Sequence, residues 1–498
     1  MTIHITEHNP PDNIVVPLLQ NEALADQLSD LAIRSGQLAS ALQQDFRADA
    51  KETLLLYAQS AGPRFYLLGL GKKSAAPDLQ NALRGFCHRN KSKLPLHLGV
   101  DLRHFPPADI PRLTDAAVAG MLLGLYDLGL YRTPDPAKPA PQFGSDKASL
   151  TILVPGAVLT ESRKAAQRGE TLARATLTIL NFVNAAGNKK IPAQLAEWVR
   201  AAGEQAGFTV RVLQEEAIRN EKLELLWQVG KGSPHPPALI VLDYSPKKAA
   251  KNTPLIGLVG KGVTFDTGGV SLKPSANMHL MKSDMGGAAA VVGTFIAAAQ
   301  LKLPVRLFGV IPAAENMIDG SALKPGDVVD SHAGKTIEVT DTDAEGRLIL
   351  ADAISWLLQQ QSPEVLIDLA TLTGSVIRAL GYQAAGLFTA NDDLADALAR
   401  AGEACGERLW RMPLWDEYGA DLKSDVADLR NYTGKPVAES ISAAKFIEHF
   451  TASHPAWAHL DIAGTAFGDS EFAQSKSATG FGVRLLVEFI ERWIGPRP

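Results

Sequence analysis

The chain has 498 residues, and its 49 Lys and Arg against 54 Asp and Glu give a net charge of −5. Hydrophobic residues make up 46 % and charged residues 21 %, an ordinary globular composition that excludes disorder and fibrous repeats for most of the chain. The small charge gives no global electrostatic case for binding nucleic acid or an anionic membrane, although it does not exclude a local basic patch. The two cysteines, Cys87 and Cys405, are too few for a disulfide framework or a cysteine-rich metal site.

Neither the amino terminus nor the longest apolar run carries a targeting or membrane signal. The first residues, MTIHITEHNPPDN, lack the basic segment and apolar core of a signal peptide. The longest apolar run, residues 288–299, is shorter than the roughly 20 residues that a membrane span needs. We therefore predict a cytoplasmic protein with no membrane partner.

The first third of the chain alternates strand-like runs with helical patterns. The stretches NIVVPLL, TLLLYA and RFYLLGLG predict strands, and residues 115–131 have the apolar spacing of a helix. Residues 158–186 predict one long helix that connects two lobes. We expect a smaller N-terminal α/β domain over 1–157, this connecting helix, and a larger C-terminal domain over 187–498.

Regular α/β alternation fills the second lobe. The strand-like stretches TVRVLQ, ALIVLDY, LIGLVG, VRLFGVIPAA and EVLIDLAT are separated by helical patterns. Such alternation predicts a mostly parallel central sheet flanked by helices. Ligands of such sheets bind beyond the carboxyl ends of the strands, and the unusual residues of this chain fall there.

A group of acids and bases, set among glycines, follows two predicted strands. It comprises Lys261, Asp266, Lys273, Asp284, Asp343, Glu345 and Arg347. If the segment after KTIEVT is extended, Asp343 and Glu345 point to the same face. Carboxylates gathered in this way repel one another unless cations bind between them, and oxygen ligands suit Mg²⁺ or Mn²⁺ and accommodate Zn²⁺.

Three other interpretations of these motifs are weaker. A phosphate loop fails because Leu255 stands where the first glycine belongs and Gly262 where Ser or Thr belongs. DTDAEGRLILAD has acids at EF-hand positions, but a strand-like stretch precedes it and Asp352 replaces the usual final Glu. Solvated surface charge explains one such acid, yet not several at strand ends among glycines and apolar residues. His279 lies nearby without a His or Cys partner at metal-binding spacing.

Six ordered motifs of the second lobe are far more specific than a lone glycine loop. They are LVGKGVTFDTGGVSLKP, MKSDMGG, ENM, TDAEGRL, DLATLTGS and WAHLDIAGTA. With them the chain, from roughly residue 178 to 485, resembles the leucine aminopeptidases, also called cytosol aminopeptidases. The resemblance implies a dinuclear metallo-exopeptidase that removes N-terminal residues from peptides. It makes the C-terminal domain the catalytic metallopeptidase domain and implies a homohexamer with the catalytic lobes at its centre.

The resemblance also assigns roles to residues. Two divalent ions, zinc exchangeable with manganese or magnesium, would be held by Lys261, Asp266, Asp284, Asp343 and Glu345, with Asp266 and Glu345 bridging. Lys273 would act as an electrophile beside the substrate carbonyl, and Arg347 would hold a bicarbonate ion that serves as general base. The pocket for the N-terminal side chain, S1, would be formed by Met281, Thr371, Leu372, Gly374, Ala463 and Ala466. Its apolar character suggests Leu or Met as the preferred residue.

General chemistry makes these implied roles coherent. Lys261 can ligate a metal only when neutral, so a dication and burial must lower its pKa. A water between two metals becomes a nucleophile near neutral pH, and a guanidinium binds a carboxylate-like anion in a bidentate manner. Two departures leave the ligands intact: Asp341 replaces the family's usual Asn, and the segment from Asn184 to Asn188 lacks the usual Pro.

Two other functions remain as alternatives. One is a DNA-binding or regulatory protein of the same fold, which the net charge of −5 does not support. The other is a phosphoesterase that uses the same carboxylates, against which the missing phosphate loop argues.

Overall fold

The computed structural model describes residues 1–58, 62–72, 75–133, 135–136, 140–247, 253–468 and 472–495. The chain divides into two compact units, Met1–Leu177 and Thr178–Pro498.

The first unit contains a six-stranded sheet in the order β1-β6-β5-β2-β4-β3. Its neighbouring strands are parallel except for the β3–β4 pair. The strands are β1 (Thr2–Thr6), β2 (Asn13–Leu18), β3 (Thr53–Leu56), β4 (Arg64–Gly69), β5 (His97–Asp101) and β6 (Ser149–Leu153). The helices are α1 (Leu24–Ser35), α2 (Ala39–Asp45), α3 (Ala76–Asn90) and α4 (Ile110–Leu123).

Helices cover both faces of this sheet, because successive residues of a strand point to opposite sides. In β2, Val15 belongs to the apolar cluster formed with α3 and α4, whereas Ile14 and Val16 belong to the cluster formed with α1 and α2. Burial on both faces explains why the stretch NIVVPLL is apolar without alternation.

The helix predicted over 115–131 is placed wrongly at both ends, since α4 begins at Ile110 and ends at Leu123. Beyond it, the Asp127 carboxylate accepts a hydrogen bond from the Gly129 N–H at 3.0 Å. This local turn offers the backbone an alternative to the helix, which apolar spacing alone does not reveal.

The long helix α5 (Leu159–Asn184) lies within the range predicted for the connecting helix, and the boundary between the two units falls inside it. The helices of the second unit are α6 (Pro192–Ala206), α7 (Glu215–Asn220), α8 (Glu224–Gly230), α9 (Gly286–Leu301), α10 (Glu345–Gln360), α11 (Gly374–Leu380), α12 (Asp392–Cys405), α13 (Glu439–Glu448) and α14 (Val483–Ile494). Its strands are β7 (Thr209–Leu213), β8 (Ala238–Tyr244), β9 (Leu255–Gly260), β10 (Gly262–Asp266), β11 (Arg306–Asn316), β12 (Val328–Asp330), β13 (Thr336–Glu338), β14 (Val365–Ala370), β15 (Ala385–Phe388), β16 (Leu409–Arg411), β17 (Leu429–Arg430) and β18 (Trp457–Asp461).

A nine-stranded sheet organises the second unit in the order β16-β15-β18-β14-β9-β11-β8-β7, with β10 added to β11. The central strands β18, β14, β9 and β11 are parallel to one another. Antiparallel pairs flank them on both sides, β15 with β18 on one side and β11 with β8 and β8 with β7 on the other. The predicted α/β class with a mostly parallel central sheet is therefore confirmed. The carboxyl ends of the central strands meet at one edge, where we expect a ligand site.

Helix α9 is buried on all sides of its first four turns, from Gly286 to Ala299. The segment Met278–Leu301 is long and apolar enough to cross a membrane, but 89 % of its most apolar window is buried inside the fold. It is therefore the core helix of this unit. Its start packs so closely on β14 that a Cβ atom on Gly287 would lie 2.0 Å from the Leu369 carbonyl oxygen.

We expect Gly287→Ala to destabilise the protein by about 2 kcal/mol or more, because a methyl group cannot fit against that backbone oxygen without moving α9. The measurement is the midpoint of thermal unfolding. Gly320→Ala is the matched control, since a Cβ atom there meets no described atom within 4 Å. Equal midpoints for the two variants would contradict the close packing of α9 on β14.

Candidate active site

Strand ends and helix starts bring the predicted site residues to one edge of the large sheet. Lys261 directly follows β9, and its N–H donates to the carbonyl oxygen of Leu369 in β14 at 3.0 Å. Asp266 is the last residue of β10, and Asp284 stands two residues before α9. Glu345 is the first residue of α10.

Three carboxylates converge at this edge. Asp266, Asp343 and Glu345 each offer an oxygen atom, and these atoms lie within 4.8 Å of one another. Within the described ranges, no other group of three His, Cys, Asp or Glu side chains comes as close. Asp266 and Glu345 are buried, while the side chain of Asp343 is 33 % exposed. Anionic oxygens at such separations are a donor set suited to divalent cations.

Two lysines lie between the carboxylates. The Lys261 Nζ atom is 2.7 Å from Asp284 Oδ2 and 2.8 Å from Glu345 Oε1. The Lys273 Nζ atom is 2.8 Å from Asp266 Oδ2 and also contacts Asp343 Oδ1. Burial alone would lower the pKa of Lys261, but the charges of the surrounding carboxylates outweigh it and raise that pKa above its usual value. Without metal, both lysines are therefore ammonium groups that offset part of the negative charge.

The pKa values of the acids are also raised, which for a carboxyl group favours the neutral form. Burial raises the pKa of Asp284 to about 8 against the opposing effect of Lys261. Burial, together with the charges of Asp266 and Glu345, raises the pKa of Asp343 to about 7. Burial also raises the pKa of Glu345, with Asp266 adding to the effect. The metal-free cluster thus retains protons near neutral pH, which is how crowded carboxylates relieve their repulsion in the absence of a bound cation.

The expectation that Asp343 and Glu345 share a face of an extended segment is wrong, although they do converge. KTIEVT contributes only β13, a short strand of a separate sheet with β12 and β17, and the chain then turns into α10. In the turn, the Asp341 carboxylate accepts the Asp343 N–H at 2.8 Å. Asp341 thus directs one carboxylate oxygen to the backbone. The EF-hand alternative also fails, because Asp352 is fully buried within α10.

Asn316 is a site residue to which the sequence analysis gave no role, although its motif ENM was part of the resemblance. It ends β11 and is buried. Its Nδ2 atom donates to Asp266 Oδ1 at 2.9 Å and to the Thr342 carbonyl oxygen at 3.0 Å. Asn316 therefore orients Asp266 and ties it to the turn that carries Asp343.

Lys190 is a second residue that the sequence analysis missed. It is fully buried, and its Nζ atom donates to the carbonyl oxygens of Val183 at 2.8 Å and Lys282 at 2.5 Å. Burial lowers its pKa to about 7, and the charge of Lys282 acts in the same direction. Lys190 thus joins the end of α5 to the turn that leads to Asp284. No sequence signal distinguished it from the exposed Lys189 beside it.

Arg347 lies in the first turn of α10 and is almost fully buried. Its Nη1 atom donates to the Asn431 carbonyl oxygen at 2.8 Å, but its Nε atom is buried without a hydrogen-bond partner in the described part of the chain. Burial lowers the pKa of this guanidinium. An unsatisfied charged donor is costly in a protein interior, so this atom is suited to an anion.

A cavity of about 300 Å³ contains the carboxylate cluster and most of the predicted S1 residues. The predicted S1 residues that line it are Met281, Thr371, Leu372, Gly374 and Ala463. Ala466 and Arg347 are buried but do not line it. Seven further residues, to which the sequence analysis gave no role, also line it: Leu280, Ser283, Thr373, Ile377, Tyr382, Phe467 and Lys476. The site therefore combines a charged end with a largely apolar wall.

Comparison with known proteins agrees with this geometry. The sequence profile of the cytosol aminopeptidase family, catalytic domain, matches residues 178–487, more than half of the chain. A probable cytosol aminopeptidase of Chloroherpeton thalassium is 39 % identical over 501 residues, which cover 97 % of each chain. Another, from Chlorobium luteolum, is 42 % identical over 500 residues, again 97 % of each chain.

Solved structures lead to the same conclusion. A mutant of tomato leucine aminopeptidase is similar with a TM-score of 0.86 and 31 % identity, covering 99 % of this chain and 96 % of that one. The bottromycin maturation enzyme BotP in complex with Mn has a TM-score of 0.81 and 32 % identity, covering 96 % and 98 %. Sequence and fold agree, and the chain belongs to the cytosol aminopeptidase family, whose members are dinuclear metal-dependent leucyl aminopeptidases.

Proposed function

We propose that this aminopeptidase binds two divalent metal ions at the carboxylate cluster and releases N-terminal residues, preferably Leu or Met, from peptides. The observation that carries the proposal is the convergence of Asp266, Asp343 and Glu345 beside Lys261 and Lys273 in one cavity. The family match favours peptide hydrolysis over the DNA-binding and phosphoesterase alternatives.

The ions, zinc, manganese or magnesium, would be held by Lys261, Asp266, Asp284, Asp343 and Glu345. When bound, they supply Lewis acidity and lower the pKa of a water molecule. Lys261 must lose a proton before its Nζ atom can ligate a cation, so metal binding is coupled to proton release. Asn316 keeps Asp266 in place through its hydrogen bond.

Lys273 and Arg347 are the proposed catalytic residues. The side chain of Lys273 is 21 % exposed and lines the cavity, so its ammonium group can reach a substrate carbonyl and stabilise the developing oxyanion. The unsatisfied Nε atom of Arg347 supports the binding of a bicarbonate ion there, which supplies general-base chemistry when bound.

The proposed preference for Leu or Met rests on the apolar wall of the cavity. Met281, Ile377, Phe467 and Ala463 line it and would bury an aliphatic side chain. A homohexamer in the cytoplasm remains part of the proposal, and the family name of the relatives supports this location.

We expect Glu345→Gln to lose activity and metal together, because a neutral amide is a poorer ligand for a divalent cation than a carboxylate. The rate of hydrolysis of leucine p-nitroanilide should fall at least about 100-fold, since even the loss of a partner that orients a ligand costs 10- to 100-fold. Elemental analysis should find fewer than two metal ions per chain. The exposed Glu364→Gln serves as the control and should keep both. Full turnover of the chelated, dialysed wild-type enzyme would refute metal dependence.

Metal affinity should rise with pH between about 6 and 9, because cations compete with protons for the same carboxylates. The pKa values of Asp343, about 7, and Asp284, about 8, are both raised, so both groups hold protons at the lower end of this range. Calorimetric titration of the metal-free protein with Mn²⁺, in two buffers of different ionisation enthalpy, measures the protons released. Affinity that is independent of pH, with no proton release, would contradict the assignment of these acids as ligands.

Lys190→Met should weaken metal binding about 10-fold, because it frees the turn that leads to Asp284 and leaves two buried carbonyl groups unpaired. The measurement is the dissociation constant for Mn²⁺, alongside the midpoint of thermal unfolding. Lys189→Met is the matched control, since that side chain is exposed. A variant that loses thermal stability but keeps its Mn²⁺ affinity would assign Lys190 a purely structural role.

A further inference from the structure

Tyr382 and Lys476 form a pair on the wall of the active-site cavity. Neither belongs to the sequence motifs that contain the predicted metal ligands. The Lys476 Nζ atom donates to the Tyr382 hydroxyl at 2.8 Å and lies 4.6 Å from the centre of its ring. The hydrogen bond and the attraction between cation and ring together restrain a long side chain that would otherwise be mobile in solvent. A positive charge is thereby held on the wall of the cavity.

The charge of Lys476 has no anionic partner among the residues that the structure describes. The two other lysines that line this cavity differ, since Lys261 and Lys273 each contact two carboxylates. Within the described part of the chain, Lys476 has only the neutral Tyr382 side chain as a polar partner. Its ammonium group therefore keeps donors with which it can bind an incoming anion.

The packing of Tyr382 places the pair beside the predicted S1 pocket. A Cβ atom on Gly464 would lie 2.4 Å from the Gly381 carbonyl oxygen, and one on Gly468 would lie 3.4 Å from the Tyr382 ring. The segment that carries Tyr382 therefore packs directly on the segment that carries Ala463 and Phe467, which line the same cavity. An apolar wall next to a cation complements a side chain that has a methylene stem and a terminal carboxylate.

We propose that Lys476, held by Tyr382, is a specificity-determining residue that lets the enzyme remove N-terminal Glu in addition to apolar residues. The inference deepens the proposed function and rests on it. A carboxylate could also reach Lys476 from the C-terminus of a short peptide. We assign it to the N-terminal side chain, because the pair shares its wall with the predicted S1 residues.

The test compares kcat/KM for three amides of 7-amino-4-methylcoumarin, with Leu, Gln or Glu as the N-terminal residue. Gln and Glu have nearly the same shape, so the ratio of their kcat/KM values isolates the charge, and the leaving group carries no carboxylate. In Lys476→Met the Glu:Gln ratio should fall about 10-fold, mainly through KM, as expected for the loss of one charge-assisted contact. Lys476→Arg should retain most of the ratio, and added salt should lower it in the wild type.

Two further variants sharpen the comparison. Tyr382→Phe keeps the ring but removes the hydroxyl that accepts from Lys476, so it should reduce the Glu:Gln ratio by a smaller factor than Lys476→Met. Lys423→Met, which removes an exposed lysine outside the cavity lining, should leave the ratio unchanged. Hydrolysis of the Leu substrate by each variant shows that the metal site is assembled.

The outcomes separate the two proposals. If the metal-loaded wild type hydrolyses none of the three amides, the proposed function fails. If it hydrolyses the Leu amide but Lys476→Met leaves the Glu:Gln ratio unchanged, only the role of Lys476 is overturned. The dipeptide Leu-Gly and its C-terminal amide test the other source of carboxylate. A loss of discrimination between these two in Lys476→Met, with an unchanged Glu:Gln ratio, would place the lysine against the peptide C-terminus and refute its role in S1.

Discussion

Mutual repulsion among buried carboxylates is the constraint on which this active site depends. Asp266, Asp343 and Glu345 place oxygen atoms within 4.8 Å of one another, and Asp284 lies on the far side of Lys261. Four acids against two lysines leave an excess of negative charge that burial makes expensive. Protons relieve it in the metal-free chain, as the raised pKa values of the acids indicate. Divalent cations would relieve it more completely, because each carries two charges and accepts several oxygen ligands.

Such a cluster persists only if the scaffold holds the acids more firmly than they repel. The scaffold here is the edge of a parallel sheet from which two helices start, and close backbone contacts fix its geometry. Gly287 lets α9 approach the Leu369 carbonyl group, and the Lys261 N–H donates to that same oxygen. The Asn316 amide then links Asp266 to the turn before α10. These contacts tie the segments that carry Lys261, Asp266 and Asp343 to one another.

The sequence predicts this arrangement only in part, for physical reasons. Apolar runs reveal central strands such as β9 and β14, since both faces of these strands are buried, and long motifs reveal which acids belong to the site. The prediction of an extended segment at Asp343 is wrong. The Asp343 backbone N–H donates to the Asp341 carboxylate, and the chain turns there. Lys190 escaped prediction because its role depends on Lys282, 92 positions away. Contacts between distant segments leave no periodicity to detect.

Lys261 illustrates how one residue can serve the site in two protonation states. As an ammonium group it lies between Asp284 and Glu345 and contacts both carboxylates. The same carboxylates that raise its pKa would lose much of that influence once a dication neutralised them, and burial, which lowers the pKa, would then dominate. The proton therefore becomes easier to release when a metal arrives to replace it. In the proposed two-metal site, this exchange would let a single buried amine lie between the acids before binding and become a ligand afterwards.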